Sequence, residues 1–123
     1  MNLKQYLSKS SKKFEAFVYS KDLVYKPEKI KIVDNLPKFI RSFFSYNRGV
    51  TAITFGRFIF FFDEVTESIV VHELVHVKQY REIGFFKFLY RYVKEYYEKG
   101  YRWISFESEA YNIQYEFMGL DKK

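Results

Sequence analysis

The only two histidines of this 123-residue chain stand four residues apart, in His72-Glu73-Leu74-Val75-His76. On a helix a four-residue step is slightly more than one turn, so both imidazoles project from one face. Two nitrogens so placed can take adjacent corners of a zinc tetrahedron. Glu73 lies one residue further round the helix, near such a metal but not bound to it. From there a general base can take a proton from a metal-activated water. Two histidines at helical spacing can also be ordinary, partly buried side chains. Here, however, Ile69, Val70, Val71, Leu74, Val75 and Val77 surround them. A helix apolar nearly all round is a buried helix, and polar groups inside it need partners. Zinc would satisfy both histidines.

Such a site needs a third protein ligand and leaves a fourth position for water. The chain has no cysteine and no further histidine, so the third ligand must be Asp or Glu. The segment Phe106-Glu107-Ser108-Glu109-Ala110-Tyr111 offers two glutamates. On a helix these point about 200° apart, so one of them faces the metal. The small Ala110 would let this helix approach the histidine helix closely. Acidic residues in a first helical turn are also favoured by the helix dipole with no metal present. Spacing therefore leaves Glu107 and Glu109 both open. Gln79, three residues after His76 on a similar face, can orient a ligand or substrate, or simply form a polar rim. Tyr97, Tyr101 and Tyr111 are available as donors to an oxyanion, among 12 tyrosines in all.

The elements that must position these residues follow from periodicity. Residues 3–19 carry Leu3, Tyr6, Leu7, Phe14, Phe17 and Val18 at helical spacing, with a weak point at Ser8 to Ser11. Lys29 to Val33 alternates like a short half-buried strand. Pro37 suits the first turn of a helix with a stripe of Leu36, Phe39, Ile40, Phe43 and Phe44. Val50–Phe55 and Phe58–Phe62 read as a β-hairpin turning at Gly56. Three helices close the chain, each followed by glycine. One runs from Thr66 to Ile83. The second, Phe85 to Lys99, has apolar positions 85, 88, 89, 92, 93 and 96. The third takes Ser105 as N-cap and stops before Gly119. The fold class predicted is α+β: one domain over 1–123, with a basic amphipathic helix in 1–26, strands in 30–62 and helices carrying the metal site in 66–118. The sheet is expected to be small and antiparallel, packed on the active-site helix, with the Phe58–Phe62 strand lining the cleft. In such a fold an extended peptide can add to an exposed sheet edge.

Ala52 to Phe61, followed by His72-Glu73-Leu-Val-His76-Val77-Lys-Gln79, resembles the zincin-like metallopeptidases. The likeness is to small bacterial domains associated with contractile injection systems and toxins, and spans roughly residues 30–117. Those domains share a Thr-x-Gly strand (here Thr54 and Gly56), an aromatic second strand, the His-Glu-Leu-x-His-Val-x-Gln run and a later Glu-x-Glu-Ala segment. In the wider glutamate-zincin clan the third ligand lies three residues before a small residue on a later helix. Ala110 is that small residue here, so the resemblance selects Glu107 and leaves Glu109 as the alternative. Tyr111 stands where thermolysin-like and prenyl-protease-like members carry aspartate, which makes Tyr111, with Gln79, a candidate for orienting the ligands.

Composition bounds the rest. Hydrophobic residues make up 48% and aromatics 23%, enough to bury a core and to exclude a disordered tail. Absence of cysteine excludes a disulfide scaffold and a thiolate metal site. The longest apolar run, Phe58–Phe62, is far short of the roughly 20 residues that cross a bilayer, and no secretory leader is recognisable. A cytoplasmic protein is expected, with association to a virion or secretion particle open. The net charge of +6 concentrates lysines in the first third, which reads as a solvated face rather than a nucleic-acid motif. The expected activity is zinc-dependent hydrolysis of a peptide or protein substrate. The alternative is a structural or interaction module in a larger assembly, its metal site non-catalytic.

Overall fold

In this computed structural model the chain is described over residues 1–100 and 104–119. Its first helix, α1, spans Leu3–Lys9, and α2 spans Lys12–Ser20. The single helix expected over 3–19 is therefore two, and the reason is local. Ser11 caps α2, its Oγ accepting from the Phe14 N–H at 3.1 Å. A capping residue has extended backbone, here with ψ 155°, and cannot also continue the preceding helix. Glu67 fixes this corner by accepting from the Ser11 N–H at 2.8 Å and hydroxyl at 2.7 Å.

Strand β1 is Lys31–Val33, β2 is Ala52–Phe55 and β3 is Phe58–Phe61, in the spatial order β1-β3-β2. The sheet is mixed, not antiparallel throughout. β2 and β3 form the antiparallel hairpin, with Thr54 opposite Ile59. β1 runs parallel to β3, with Ile32 opposite Ile59. A parallel pair needs a crossover, and the chain between β1 and the hairpin supplies one through α3 (Lys38–Ser42) and a π-helical turn (Phe43–Asn47). β3 reads Phe-Ile-Phe-Phe, the most apolar strand, and takes the centre, where both its sides are paired. At the hairpin turn Gly56 has φ +65° while Arg57 does not share the positive φ, the pattern of a II′ turn.

The two outer strands differ. Along β1, Asn2 bridges Lys31 and the Leu3 N–H donates to the Ile30 carbonyl at 2.8 Å, so residues 1–3 cover that edge. The outer side of β2 pairs with no described strand.

Three helices follow: α4 (Glu67–Ile83), α5 (Phe85–Lys99) and α6 (Ser105–Met118). Thr66 caps α4, and Gly84, at φ +102°, ends it. The N-cap of α6 is Ile104 rather than Ser105. Ser105 is already helical, and its N–H and hydroxyl donate to Glu95 of α5 at 2.8 and 3.0 Å. A carboxylate from the neighbouring helix thus does the capping.

The core lies between α4 and the inner face of the sheet. Ile32, Ile59 and Phe61 meet Val70, Val71 and Leu74, with Leu3, Phe14 and Val18 closing one side. α6 packs along α4, and Ala110 is fully buried there. A second cluster, Tyr80, Phe88, Ile104 and Phe106, ties α5 to α4 and to the start of α6. Phe88 stacks between Tyr80 at 3.9 Å and Phe106 at 4.5 Å.

Two expected apolar stripes are only partly used. α3 buries no residue, and Phe39 is 75% exposed, because one helical turn ends in the π-helical turn before it can lie on the core. On α5, Phe88 is buried and Phe85, Leu89 and Tyr92 pack around it, but Val93 and Tyr96 are exposed. No described helix is long and apolar enough to cross a membrane.

Candidate metal centre

Helix α4 carries His72, Glu73 and His76, all buried, and α6 brings the buried Glu107 against them. His72 Nε2 lies 3.0 Å from Glu107 Oε1, and His76 Nε2 lies 3.2 Å from the same oxygen. In a tetrahedral site with bonds of about 2.0–2.1 Å, ligand atoms sit about 3.3 Å apart. The two edges that meet at Glu107 are therefore close to those a tetrahedral ion requires, and all three ligand atoms lie within 4.8 Å of one another. His72, His76 and Glu107 could hold a metal ion. Glu109, turned away on α6, has its Oε1 2.7 Å from the Gln79 amide nitrogen.

The other ring nitrogens show why these histidines face inward. His72 Nδ1 meets Gln114 Oε1 at 2.9 Å, and His76 Nδ1 meets Gln79 Oε1 at 2.8 Å. For Gln79 the amide orientation follows from its partners. Its Nε2 donates to the Phe106 carbonyl at 3.1 Å and to Glu109, and both groups only accept. The amide oxygen must then face His76, so His76 Nδ1 is the donor. That leaves the Nε2 lone pair of the neutral ring for a metal.

Charge follows the same geometry. Burial opposes ionisation of Glu107, but hydrogen bonds from His72 and His76 outweigh it and hold the carboxyl far below its usual range. Burial likewise disfavours a charged His76. The hydrogen bond and charge of Glu107, the charge of Glu73 and the bond to Gln79 overcome it and raise its pKa above the ordinary histidine value. Without metal, a proton on His76 Nε2 satisfies Glu107. A proton and a metal ion are thus alternatives at that nitrogen.

Glu73 is held from the sheet. Its Oε1 accepts from the Thr54 hydroxyl of β2 at 2.7 Å. Glu73, His72, His76 and Glu107 line one cleft of about 630 Å³, walled by residues 48–55 on one side and by α5 residues Phe88, Leu89 and Tyr92 on the other. The strand along this cleft is β2, not Phe58–Phe62. β3 is the central strand, so β2 separates it from the cleft.

Of the tyrosines, Tyr111 lies edge-on to His72 with ring centroids 4.5 Å apart and lines the cleft. Tyr97 is 84% exposed and outside it. Tyr101 falls outside the described residues. The Tyr92 hydroxyl also meets the cluster, donating to Glu107 Oε2 at 2.8 Å. Neither Tyr92, predicted only as an apolar position of its helix, nor Gln114 nor Thr54 is expected from the sequence to hydrogen-bond at this cluster. A weak signal existed for two of them. Gln114 lies seven residues, two helical turns, after Glu107, and Tyr92 lies on the inward stripe of α5.

Comparison of the chain with protein-family models, with curated proteins and with solved structures returns no match.

Proposed function

We propose that this protein is a zinc-dependent peptidase of zincin-like architecture. The observation that carries the reading is the juxtaposition in one cleft of a His72–His76–Glu107 cluster with a separate carboxylate, Glu73. Two imidazole nitrogens and one carboxylate oxygen are a donor set that suits zinc with one position left open. When bound, zinc supplies Lewis-acid polarisation of a carbonyl and lowers the pKa of a water toward 7. The chain's own residues do the rest. Glu73 takes the water proton and returns it to the leaving amine, while the Thr54 hydroxyl fixes its carboxylate. A site that only stabilised the fold would need no second carboxylate beside His72.

The open edge of β2 supports a peptide as substrate. Thr51 accepts from the Phe62 N–H, so the hydrogen-bonded pairs of the hairpin fall on Thr51, Ile53 and Phe55. Ala52 and Thr54 then turn their backbone groups to the unpaired side. The Thr54 carbonyl has the Tyr80 hydroxyl at 3.4 Å, and the remaining groups can take an extended peptide as an added strand.

The test is Glu73→Gln. It should keep zinc, since Glu73 is outside the cluster, and lower hydrolysis of an unfolded protein or peptide by about 10²–10⁴-fold. Equal hydrolysis by wild type and variant would refute the proposal. Metal binding with no hydrolysis by either would leave an interaction module with a stabilising metal.

A further inference from the structure

A second cavity, of about 500 Å³, lies beneath the Gly56–Arg57 turn, at the C-terminal end of α4. It meets the first cleft only at Phe55 and Tyr80, which line both. Its walls combine three cations, Lys26, Arg57 and Arg81, with aromatic rings including Tyr25, Phe58 and Phe85. None of its lining residues is acidic. The size falls in the range of small-molecule sites, roughly 300–1,000 Å³.

The cations are gathered rather than dispersed. Arg81 sits over the Tyr25 ring at 4.9 Å, and Lys26 Nζ lies 5.3 Å from the same ring. Two like charges thus lie against one aromatic ring. The counter-charge at Arg81 is weak: Asp22 Oδ2 lies 3.8 Å from its Nη2, on a side chain 77% exposed. Arg81 Nη2 donates to the Asp22 carbonyl at 3.2 Å, whereas Nη1 is buried without a hydrogen-bond partner. It is the one such side-chain atom among the described residues. The loop that carries these contacts is strained. Asp22 at φ +57° and Lys26 at φ +48° are the only described non-glycine residues with positive φ. Backbone strain of this kind collects at ligand clamps.

We propose that this cavity binds a small organic anion with an apolar body and a carboxylate or phosphate head. The head neutralises Lys26, Arg57 and Arg81. The body covers Phe58, Phe85 and Val77, which line the same space. The site is separate from the metal cluster and does not depend on the peptidase reading.

The experiment is calorimetric titration of the full chain with octanoate and with octyl phosphate, each below its micellar concentration. Controls are octyltrimethylammonium, acetate and inorganic phosphate. One octanoate or octyl phosphate should bind per chain, and the two arms show which head is preferred. Arg57→Gln, at an exposed turn, should weaken binding about tenfold, and Lys26→Gln by a similar factor. Arg81→Gln should weaken it further, read beside its circular dichroism because that side chain also packs on Tyr25. Phe58→Ala should weaken octanoate while leaving acetate unchanged. His72→Ala should leave binding unaltered. Equal binding of the octyl cation would overturn the proposal, and so would affinity for inorganic phosphate equal to that for octyl phosphate. So would octanoate binding that survives both Arg57→Gln and Lys26→Gln, or that disappears in His72→Ala.

Discussion

Gln79 offers the sharpest test of how the metal cluster is organised. Its side chain makes three hydrogen bonds, to His76 Nδ1, the Phe106 carbonyl and Glu109. Gln79→Leu keeps a similar volume and removes all three. His76 then loses the acceptor that keeps its proton on Nδ1 and its ring turned toward Glu107. Loss of such an orienting partner costs about 10–100-fold in metal affinity, or about 1.4–2.7 kcal/mol. The buried His76 Nδ1–H is then left without its acceptor, which lowers fold stability by about 1–3 kcal/mol. Glu109→Ala acts one bond further out, on an exposed carboxylate, so its effect on zinc should stay below about tenfold. Glu107→Ala removes a member of the cluster itself and should release the metal. Zinc affinity by competition with a chromophoric chelator, beside urea unfolding without metal, separates the two effects. Zinc binding by Gln79→Leu as tight as wild type would show that Gln79 does not orient His76. Release of zinc by Glu109→Ala with retention by Glu107→Ala would refute Glu107 as the ligand.

Zinc binding should strengthen from pH 6 to pH 8 and release protons, because the raised pKa of His76 makes metal and proton competitors at one nitrogen; calorimetry in buffers of different ionisation enthalpy counts the protons. Thr54→Val removes the hydroxyl from Glu73 at nearly constant shape, and should leave zinc affinity unchanged while lowering kcat about tenfold. Glu95→Ala should lower stability by about 1 kcal/mol at neutral pH, through loss of the Ser105 cap. The bond from the Ser105 backbone holds the Glu95 carboxyl below its usual range. Its contribution is therefore fully present above the unfolded glutamate value of about 4.3 and lost as pH falls through the lower folded value. Urea unfolding of wild type and variant at neutral and strongly acid pH should show the difference shrinking in acid.

The parts legible in the sequence are those where one period does the work. The 3.6-residue repeat places His72 and His76 on one face of α4, and Glu107 with Ala110 on one face of α6. Apolar residues all round α4 signal a buried helix, and ten of its residues are buried. What could not be read depends on how separate elements meet. Nothing in Lys31–Val33 reveals whether it pairs parallel or antiparallel, since alternation is the same in both. Ser105 has the right chemistry for an N-cap, yet a carboxylate ten residues upstream takes its N–H. The stripe on α5 is helical to its end, but only contact with α4 and α6 decides that Phe88 is covered and Tyr96 is not.

The same distinction separates the cluster from what holds it. His72, His76 and Glu107 lie on two helices that pack side by side, so two periodicities and one contact bring them together. Their supports come from a wider range of elements: Thr54 from the sheet, Tyr92 from α5, Gln114 from α6 and Gln79 from α4. Each meets a ligand or the base through one hydrogen bond, and that bond fixes one degree of freedom: a carboxylate rotation, a ring flip or a tautomer. Periodicity can place such a side chain on the right face, as it does for Gln79, Gln114 and Tyr92, but it does not show which bond that side chain makes. Glutamine, threonine and tyrosine are also ordinary surface and core residues, so their identity alone marks nothing. The ligand set is therefore written in local spacing, and its precision is written in tertiary contacts. Replacing the ligands asks whether a metal binds at all, whereas replacing Gln79, Gln114, Tyr92 or Thr54 asks whether the fold aims the ligands and the base at a common point.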